Sequence, residues 1–227
     1  MRVLMIEDDP FTTEVIRIFL RNDESVCDFT ESGEDGFDIA KRGDYDVIIL
    51  DVGLPDIDGR EVLMRLRDAK VKTPVLMLSG QTELKVKLEC FERGAADYVE
   101  KPFEPKELLA RLRAISRRFR GHASPIVEIG ELTVNLGNKE VVIGAVSVHV
   151  TTRESQLLQC LALFRGSIVK KERLYEYLYE EPDDAPFPKI IDVYLCRLRN
   201  KFWQASGRRQ QYIQTVWGVG YRLAPDA

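Results

Sequence analysis

The chain has 227 residues, of which 44% are hydrophobic and 31% are charged, and this ordinary mixture excludes a globally disordered protein. No apolar run approaches the roughly 20 residues that a membrane-spanning helix needs, and acids follow the first apolar run where a signal peptide would continue apolar. Four isolated cysteines and two histidines argue against a zinc cluster or a disulfide framework. We therefore expect a cytoplasmic globular protein without membrane contacts.

The net charge of −4 is the sum of two unlike parts. Residues 1–120 contain 20 basic and 25 acidic residues, whereas residues 121–227 contain 13 and 12. An acidic chain argues against binding to nucleic acid only if the chain is a single unit. The length allows one or two domains, so the uneven charge is a first indication of two units with different partners.

The first half of the chain alternates short apolar runs with amphipathic segments. Strands are predicted at residues 3–6, 26–30, 47–50, 74–78 and 97–99, and helices at residues 11–20, 33–41, 59–67, 82–93 and 104–118. The run Val47–Leu50 has no polar alternation, which is typical of a strand that is buried on both faces. Five strands alternating with five helices predict an α/β fold with a parallel sheet and helices on both faces.

The pattern changes at Gly121–Pro125, which predicts a linker over residues 121–126 between domains at 1–120 and 127–227. The second half has short, turn-rich strands and three helices, which indicate an α+β domain. Strands are predicted at 127–129, 132–135, 140–143 and 146–150, helices at 151–165, 170–179 and 189–203, and a closing hairpin at 212–216 and 221–223. Thr151 and Glu154 have the spacing of a capping box at a helix start.

Polar side chains that could together bind a metal ion and a phosphoryl group follow four of the five predicted strands. In an open parallel sheet, ligands bind outside the carboxyl ends of the strands, where the strand order reverses. Converging carboxylates need a cation, and hard oxygen ligands suit Mg²⁺, while a lysine and a hydroxyl can hold phosphoryl oxygens. Any single acid here is about as often only a helix N-cap, but the combination favours phosphoryl transfer to a carboxylate. The residues are Glu7, Asp8 and Asp9, then Asp51, Ser79 and Lys101.

Five motifs in this half resemble the receiver domain of two-component response regulators. They are Ile6-Glu7-Asp8-Asp9, Asp51-Val52-Gly53-Leu54-Pro55-Asp56-Ile57-Asp58-Gly59, Leu78-Ser79-Gly80, Gly94-Ala95-Ala96-Asp97-Tyr98 and Lys101-Pro102-Phe103. The resemblance implies a flavodoxin-like (βα)5 fold with Asp51 as phosphoacceptor. It also implies an Mg²⁺ site formed by Glu7 (through water), Asp8, Asp51 and the backbone carbonyl of Gly53.

The same resemblance implies a switch. Ser79 and Tyr98 would be the switch pair, and Lys101 would bind phosphate beside a cis peptide bond to Pro102. Phosphorylation adds charge and acceptor oxygens to Asp51, so Ser79 is expected to move toward them while Tyr98 turns into the vacated space. This repacks the face formed by the fourth helix, fifth strand and fifth helix. Asp9 is expected to cap the first helix.

Family dimers form through this face by crossed charge pairs between two copies. The matching positions are Lys87 with Glu107, Glu92 with Arg113, and Asp97 with Arg118. A fourth pair is broken, since Ala96 occupies the position of the acid that would face Arg111. Exposed pairs contribute only about 0–1 kcal/mol each, so we expect a weakened homodimer on phosphorylation.

The second half resembles the winged-helix effector domain of the OmpR/PhoB family. The matching pieces are Val150-Thr151-x-x-Glu154, Lys189-x-x-Asp192-Val193, Arg197-Leu198-Arg199 and Thr215-Val216-Trp217-Gly218-Val219-Gly220-Tyr221. Residues 189–193, 72–74 and 121–123 are most similar to an alphaproteobacterial cell-cycle regulator of that family. In the predicted third helix, an apolar stripe faces the core. Its members are Ile191, Leu195, Leu198 and Phe202.

Family docking places this helix in the major groove of double-stranded DNA and the wing near the minor groove. Arg197 is the candidate for reading a base edge, and Ile190 and Val193 for thymine methyl groups. The candidates for phosphate contacts are Lys189, Tyr194, Lys201 and Thr215. Related wings carry arginine at the positions of Trp217 and Val219, so Trp217 would contact DNA without a charge. Arg199 and Asp192 could instead pair inside the domain, and a basic helix face alone could be merely solvated.

We therefore predict a transcriptional regulator, not an enzyme, that receives phosphate from a histidine kinase or phosphotransferase. Its acidic segment at residues 180–186 matches the family's RNA polymerase contact or is a charged surface turn. One alternative is an Mg²⁺-dependent aspartyl-phosphate phosphatase, although such enzymes favour DxDx[TV] after the first strand, where this chain has Glu7-Asp8-Asp9. The other is a constitutive DNA binder whose receiver domain only dimerises.

Overall fold

The computed structural model describes residues 1–81, 83–179, 186–208 and 210–224. The chain divides between Phe119 and Arg120 into two compact units, Met1–Phe119 and Arg120–Ala227. Among the described residues, no helix is long and apolar enough to cross a membrane.

The first unit is built on a five-stranded sheet in which all neighbouring strands run parallel. The strand order is β2-β1-β3-β4-β5, so the chain leaves β1 in one direction, returns past it, and continues in the other. This reversal lies between β1 and β3, as expected for a doubly wound sheet. The strands are β1 (Arg2–Ile6), β2 (Val26–Thr30), β3 (Val47–Asp51), β4 (Val75–Ser79) and β5 (Asp97–Glu100).

Helices cover both faces of this sheet, as predicted, because successive strand side chains point to opposite sides. Leu4 and Ile48 pack on one side with α2, α3 and α4. Val3 and Ile49 pack on the other side with α1 and α5. The helices are α1 (Pro10–Asn22), α2 (Gly33–Arg42), α3 (Gly59–Asp68), α4 (Leu84–Glu92) and α5 (Pro105–Phe119).

The second unit combines a four-stranded antiparallel sheet, three helices and a closing hairpin. The predicted strand at 146–150 is shorter than expected and ends at Ser147, because the following residues lead into the capping box of the next helix. Both reciprocal hydrogen bonds of that box, between Thr151 and Glu154, are present. The elements are β6 (Ile126–Ile129), β7 (Leu132–Asn135), β8 (Val141–Ile143), β9 (Val146–Ser147), α6 (Thr152–Leu163), α7 (Lys171–Leu178), α8 (Ile190–Ala205), β10 (Ile213–Val216) and β11 (Gly220–Leu223).

Helix α8 packs on the core of this unit through the predicted stripe. Its buried residues are Ile191, Leu195, Leu198 and Phe202. The spacing of three and four residues confines them to one side of the helix, which leaves the opposite side outside the core.

Candidate functional site

Three carboxylates meet at the carboxyl end of the parallel sheet, next to the reversal of strand order. Glu7 and Asp8 follow β1, and Asp51 ends β3. One oxygen from each lies within 4.8 Å of the others. Glu7 and Asp51 are buried, whereas Asp8 is not. The sheet topology therefore brings together the three side chains that the sequence predicts as metal ligands.

Lys101 enters the same cluster from the end of β5. Its Nζ is 2.8 Å from the Glu7 carboxylate and 3.0 Å from Asp51 Oδ2. Burial alone would lower the pKa of Lys101, but the hydrogen bonds to Glu7 and Asp51 raise it above its ordinary value, so the ammonium stays charged. The Lys101–Pro102 peptide bond is cis, as expected.

The buried Glu7 carboxylate is ion-paired through both of its oxygens. Oε1 accepts hydrogen bonds from Lys101 Nζ at 2.8 Å and from the Asp9 amide at 3.1 Å, and Oε2 also lies 2.8 Å from Lys101 Nζ. Burial and the charge of Asp51 raise the pKa of Glu7 to about 7 against the opposing effect of Lys101. Three carboxylates facing one ammonium carry excess negative charge, and they form an oxygen donor set that fits a hard divalent cation.

Ser79 and Tyr98 are linked through Gln81. The Gln81 amide donates to Ser79 Oγ at 3.0 Å, and the Tyr98 hydroxyl donates to the Gln81 carbonyl at 2.8 Å. The sequence suggests that Tyr98 turns inward only after phosphorylation, whereas the structure has its ring already inside, with 4% of the residue exposed. The ring packs with the core residues of α4, and its hydroxyl has the Gln81 carbonyl as its acceptor. The role of the Gln81 backbone in this link has no signal in the sequence.

The loops around Asp51 contain three further residues with structural roles, of which the sequence assigns only Asp9. Asp9 caps α1 as predicted, by accepting from the Phe11 and Thr12 amides. Asp56 caps α2 from a distance, because its carboxylate accepts from Ser32 Oγ and the Gly33 and Glu34 amides. Gly59 lies so close to the strand that a Cβ atom there would be 1.9 Å from the Asp51 carbonyl oxygen.

Around Gly53 the structure is open. A Cβ atom at this position would have no neighbour within 4 Å, and the residue is exposed on the loop that follows Asp51. Gly53 lies two residues after Asp51 in the loop that follows β3, and the role of its backbone carbonyl as a metal ligand stays a prediction.

In the second unit, the exposed side of α8 is narrower than predicted. Lys189 at its start, Val193 and Arg197 are exposed. Cys196 and Asn200 share this exposed side and have no role in the sequence-based prediction. The buried apolar stripe defines the opposite side of the helix, and the helical period places both residues on that opposite side. The sequence therefore contained the pattern from which their exposure could have been predicted.

The remaining predicted residues of α8 are used inside the domain. Ile190 and Tyr194 pack against the core, and the Tyr194 hydroxyl is 3.3 Å from that of Tyr179. Lys201 Nζ donates to the buried Glu154 carboxylate at 2.6 Å. The geometry therefore supports a structural ion pair for Lys201 rather than the phosphate contact expected from the sequence.

The hairpin β10–β11 is also tied to α8. Arg199 donates to the Ile213 carbonyl at 3.0 Å and to Thr215 Oγ1 at 2.7 Å, so the Thr215 hydroxyl already has a partner. Asp192 and Arg199 both pair inside the domain, although not with each other. Trp217, at the turn of the hairpin, is 89% exposed. Residues 180–185 of the acidic segment lie outside the described residues.

Four of the six charges predicted to cross a dimer interface pair with other residues of the first unit. Lys87 pairs with Glu100 at 3.3 Å. Asp97 pairs with Arg111 at 2.9 Å, and Arg111 also pairs with Glu107. Arg113 forms an ion pair with Asp23. Glu92 and Arg118 are exposed. Crossed pairs between two copies would therefore have to compete with pairs inside one chain.

Between these charges, α4 exposes an apolar stripe. Leu84, Leu88 and Phe91 are spaced by four and three residues, and they are among the exposed large hydrophobic residues of the chain.

Comparison with known proteins agrees with both units. Residues 3–113 match the family model described as response regulator receiver domain, and residues 145–223 match the C-terminal domain of transcriptional regulatory proteins. The chain is 46% identical to the cell cycle response regulators CtrA of Brucella ovis and Brucella anthropi, in each case over 100% of this chain and 97% of the relative.

The receiver domain of the Francisella response regulator 1452 has a TM-score of 0.50 and 29% identity, covering 52% of this chain and 97% of that one. The carboxylate cluster and its lysine lie in the part that matches the receiver model, and α8 and the hairpin lie in the part that matches the regulatory C-terminal model. The chain belongs to the OmpR/PhoB family of response regulators, which join a receiver domain to a DNA-binding domain.

Proposed function

We propose that a histidine kinase or phosphotransferase phosphorylates Asp51, and that the phosphorylated chain dimerises and binds promoter DNA. The observation that carries this proposal is the Asp51 carboxylate at the end of β3, held by Lys101 at 3.0 Å. A carboxylate oxygen would form the new oxygen–phosphorus bond while the phosphorus–nitrogen bond of the donor histidine breaks. Lys101 would then pair with the phosphoryl oxygens and offset their charge.

Mg²⁺ is the cofactor that this site fits. Glu7, Asp8, Asp51 and the carbonyl of Gly53 would hold it, with Glu7 acting through water. The ion would supply positive charge beside the phosphoryl oxygens. The all-oxygen donor set and the excess of three carboxylates over one ammonium support this assignment.

The switch would act through the loop after β4. Ser79 is the last residue of β4, and its Oγ accepts from the Gln81 amide in this loop, while the Tyr98 hydroxyl donates to the Gln81 carbonyl. If Ser79 turned to donate to a phosphoryl oxygen, the position of Gln81 and the packing of Tyr98 against α4 would change together. Phosphorylation would then shift the population of two arrangements of the α4–β5–α5 face.

This face is our candidate for the homodimer interface. The charges of Lys87, Glu92, Asp97, Glu107, Arg113 and Arg118 would form its rim, and the apolar stripe of α4 would form its centre. Centres of protein interfaces are depleted in charge, which favours the stripe over ion pairs as the main contribution to affinity.

DNA would be bound by α8 and the hairpin. Arg197 would read a base edge, Val193 would contact a thymine methyl group, and Lys189 would contact a phosphate. Ile190, Tyr194, Thr215 and Lys201 remain candidates only for peripheral contacts, since each is engaged within the domain. Trp217 would lie against the sugar–phosphate backbone or the minor groove.

Three further assignments follow from the family, the relatives and the sequence. Since both named relatives are cell cycle response regulators, we propose a role in cell-cycle transcription. The acidic charge of residues 180–186 supports a contact with RNA polymerase. Because its target is promoter DNA, we place the protein in the bacterial cytoplasm.

Incubation of the full-length protein with a small phosphodonor and Mg²⁺ tests the proposal. Intact-mass measurement should show one phosphoryl adduct on the wild type and none on Asp51→Asn. Asp9→Asn is the matched control, because asparagine caps a helix as well as aspartate does and the side chain is next to the cluster. An adduct that persists in Asp51→Asn would contradict the assignment. DNA affinity that does not change on phosphorylation would favour a constitutive DNA binder.

A further inference from the structure

Asp192 connects three elements of the DNA-binding domain. It lies in the first turn of α8 with 48% of its side chain exposed. Its Oδ2 accepts from Lys171 Nζ at the start of α7 at 2.7 Å, and its Oδ1 accepts from the Tyr221 hydroxyl on β11 at 2.5 Å. One carboxylate therefore joins helix α7, helix α8 and the hairpin at a single point.

The protonation states support both hydrogen bonds. Burial would raise the pKa of Asp192, but the bonds from Lys171 and Tyr221 outweigh it and lower the pKa, so the carboxylate is charged at neutral pH. Burial and the neighbouring carboxylate raise the pKa of Tyr221 to about 12, so its hydroxyl stays protonated and donates.

The backbone around Tyr221 is fixed independently of Asp192. The Val169 amide donates to the Tyr221 carbonyl at 2.7 Å, and the Tyr221 amide donates to the Val169 carbonyl at 2.9 Å. Arg199 holds the other strand of the hairpin through Thr215 and Ile213. Loss of the Asp192 contacts would therefore leave the hairpin attached, while its side-chain link to the start of α8 would be gone.

The contact with Asp192 also determines whether the charge of Lys171 is available to DNA. Lys170 and Lys171 line a cleft of about 470 Å³ together with Trp217 and Thr215. A lysine at the edge of a DNA-binding surface binds any phosphate, whatever the base sequence. The Asp192 carboxylate forms an ion pair with Lys171 and adds a negative charge that repels phosphates. It therefore opposes binding to DNA that does not depend on the base sequence.

We propose that Asp192 is a specificity-determining and positioning residue, which fixes the hairpin against α8 and withholds Lys171 from DNA phosphates. This inference rests on the proposed DNA contacts of α8 and the hairpin. Asp192 itself would contact no base. Its effect on binding comes from the geometry of the hairpin and from the balance between specific and non-specific affinity.

The salt dependence of DNA binding by the full-length protein tests the proposal. The probes are a duplex selected by the wild-type protein from a random-sequence pool and an unselected duplex of equal length. Asp192→Asn should bind the unselected duplex more tightly, and its slope of log K against log salt should be steeper by about 0.9. For each tenfold fall in salt concentration, the variant should therefore gain about eightfold more affinity than the wild type gains. The ratio of selected to unselected affinity should fall. An unchanged slope would overturn the proposal.

Two further variants separate the charge from the geometry. The double variant Asp192→Asn with Lys171→Met should recover the wild-type slope, because the released cation is gone. Tyr221→Phe keeps the ion pair, so its slope should equal that of the wild type while its affinity for the selected duplex falls. A steeper slope that persists in the double variant would overturn the role given to Lys171.

A purely structural role would lower the thermal unfolding midpoint and both affinities together, without a change in slope, and this result would also count against the proposal. Failure of the proposed function has a different result. In that case the wild-type protein would enrich no sequence from the pool, or would bind selected and unselected duplexes equally.

Discussion

At the scale of single residues, the tightest constraint on the phosphoacceptor lies at a glycine. Gly59 begins α3, and its amide donates to the Val52 carbonyl at 2.9 Å. Its Cα lies against the strand end, where any side chain would meet the Asp51 backbone. The position of the acceptor carboxylate therefore depends on a residue that has no functional group.

Gly59→Ala should displace the Asp51 backbone, because the new Cβ would lie 1.9 Å from its carbonyl oxygen. We expect the free energy of unfolding to fall by about 1–3 kcal/mol, as for other overpacked sites, and phosphorylation by a small donor to slow. Chemical denaturation and the rate of adduct formation by mass spectrometry measure the two effects. Gly53→Ala, where the Cβ meets open space, should change neither strongly. Equal effects of the two substitutions would contradict this account.

Glu154 shows how a capping residue can also be an ion-pair partner. Burial would raise the pKa of Glu154, but the hydrogen bonds from Lys201 and the Thr151 amide outweigh it and lower the pKa below its ordinary value of 4.5. A lowered pKa in the folded state means that the unfolded chain takes up the proton first. The stabilisation by this carboxylate is therefore complete above pH 4.5 and is lost as the pH falls toward the folded-state pKa.

Glu154→Gln should remove this pH-dependent part of the stability. The difference in free energy of unfolding between wild type and variant should be constant above pH 4.5 and shrink below it. Tryptophan fluorescence during urea unfolding is a suitable probe, because Trp203 and Trp217 both lie in the second unit. A difference that stays the same down to pH 3 would show that the Glu154 ion pair does not contribute as described.

At the scale of elements, α8 separates its core contacts from its exposed side, and its flanks are tied to neighbours. Lys201 on one flank pairs with α6, and Asp192 and Arg199 on the other flank hold the hairpin. These contacts fix the rotation of α8 about its axis. They leave a narrow exposed strip around Val193 and Arg197 for DNA.

Substitutions along this strip should separate base readout from phosphate contact. Arg197→Ala should cost about 1–3 kcal/mol of specific affinity and relax the preference at one base position. Lys189→Ala should weaken binding to all sequences alike and reduce the salt slope by about 1. Binding to a library of single-base variants of the selected duplex, at several salt concentrations, measures both. A uniform loss for Arg197→Ala would make it a phosphate contact instead.

At the scale of the whole molecule, the two units differ in how they use charge. The first unit gathers acids around the Asp51 cluster, and several of its basic residues, among them Arg111 and Arg113, pair with acids of the same unit. The second unit is nearly neutral, so its affinity for DNA depends on a few cations on one helix side. A weakly charged domain gains affinity for DNA when two linked copies bind the same duplex. Dimerisation is therefore an effective way to control DNA binding.

Leu88→Glu should weaken dimerisation of the phosphorylated protein, because it places a charge in the centre of the apolar stripe on α4. Leu88 is 52% exposed, so the substitution should leave the fold intact. Sedimentation velocity with and without phosphodonor measures the effect. Met64→Glu, which changes a similarly exposed residue on α3, is the control and should dimerise normally. A phosphorylated dimer that is equally stable with Leu88→Glu would exclude α4 from the interface.

The sequence by itself determined the succession of strands and helices along the chain, the polar residue types at the strand ends and the side of α8 that packs against the core. These features are encoded locally: in apolar runs, in the three- and four-residue spacing of Ile191 and Leu195, and in the rule that parallel strands end at one edge. The carboxylate cluster followed from that rule, since Glu7 and Asp51 lie at the carboxyl ends of neighbouring strands whatever the details of the loops.

The tertiary structure alone decided which charged side chains are available for partners. Lys201 pairs with a residue 47 positions away and Arg113 with one 90 positions away, so no local pattern could indicate that these cations are engaged. The close approach of Gly59 to the Asp51 carbonyl and the three-element contact of Asp192 are of the same kind. Periodicity shows which side of an element is polar, but only packing shows which polar group has a partner, because partners come from distant parts of the chain.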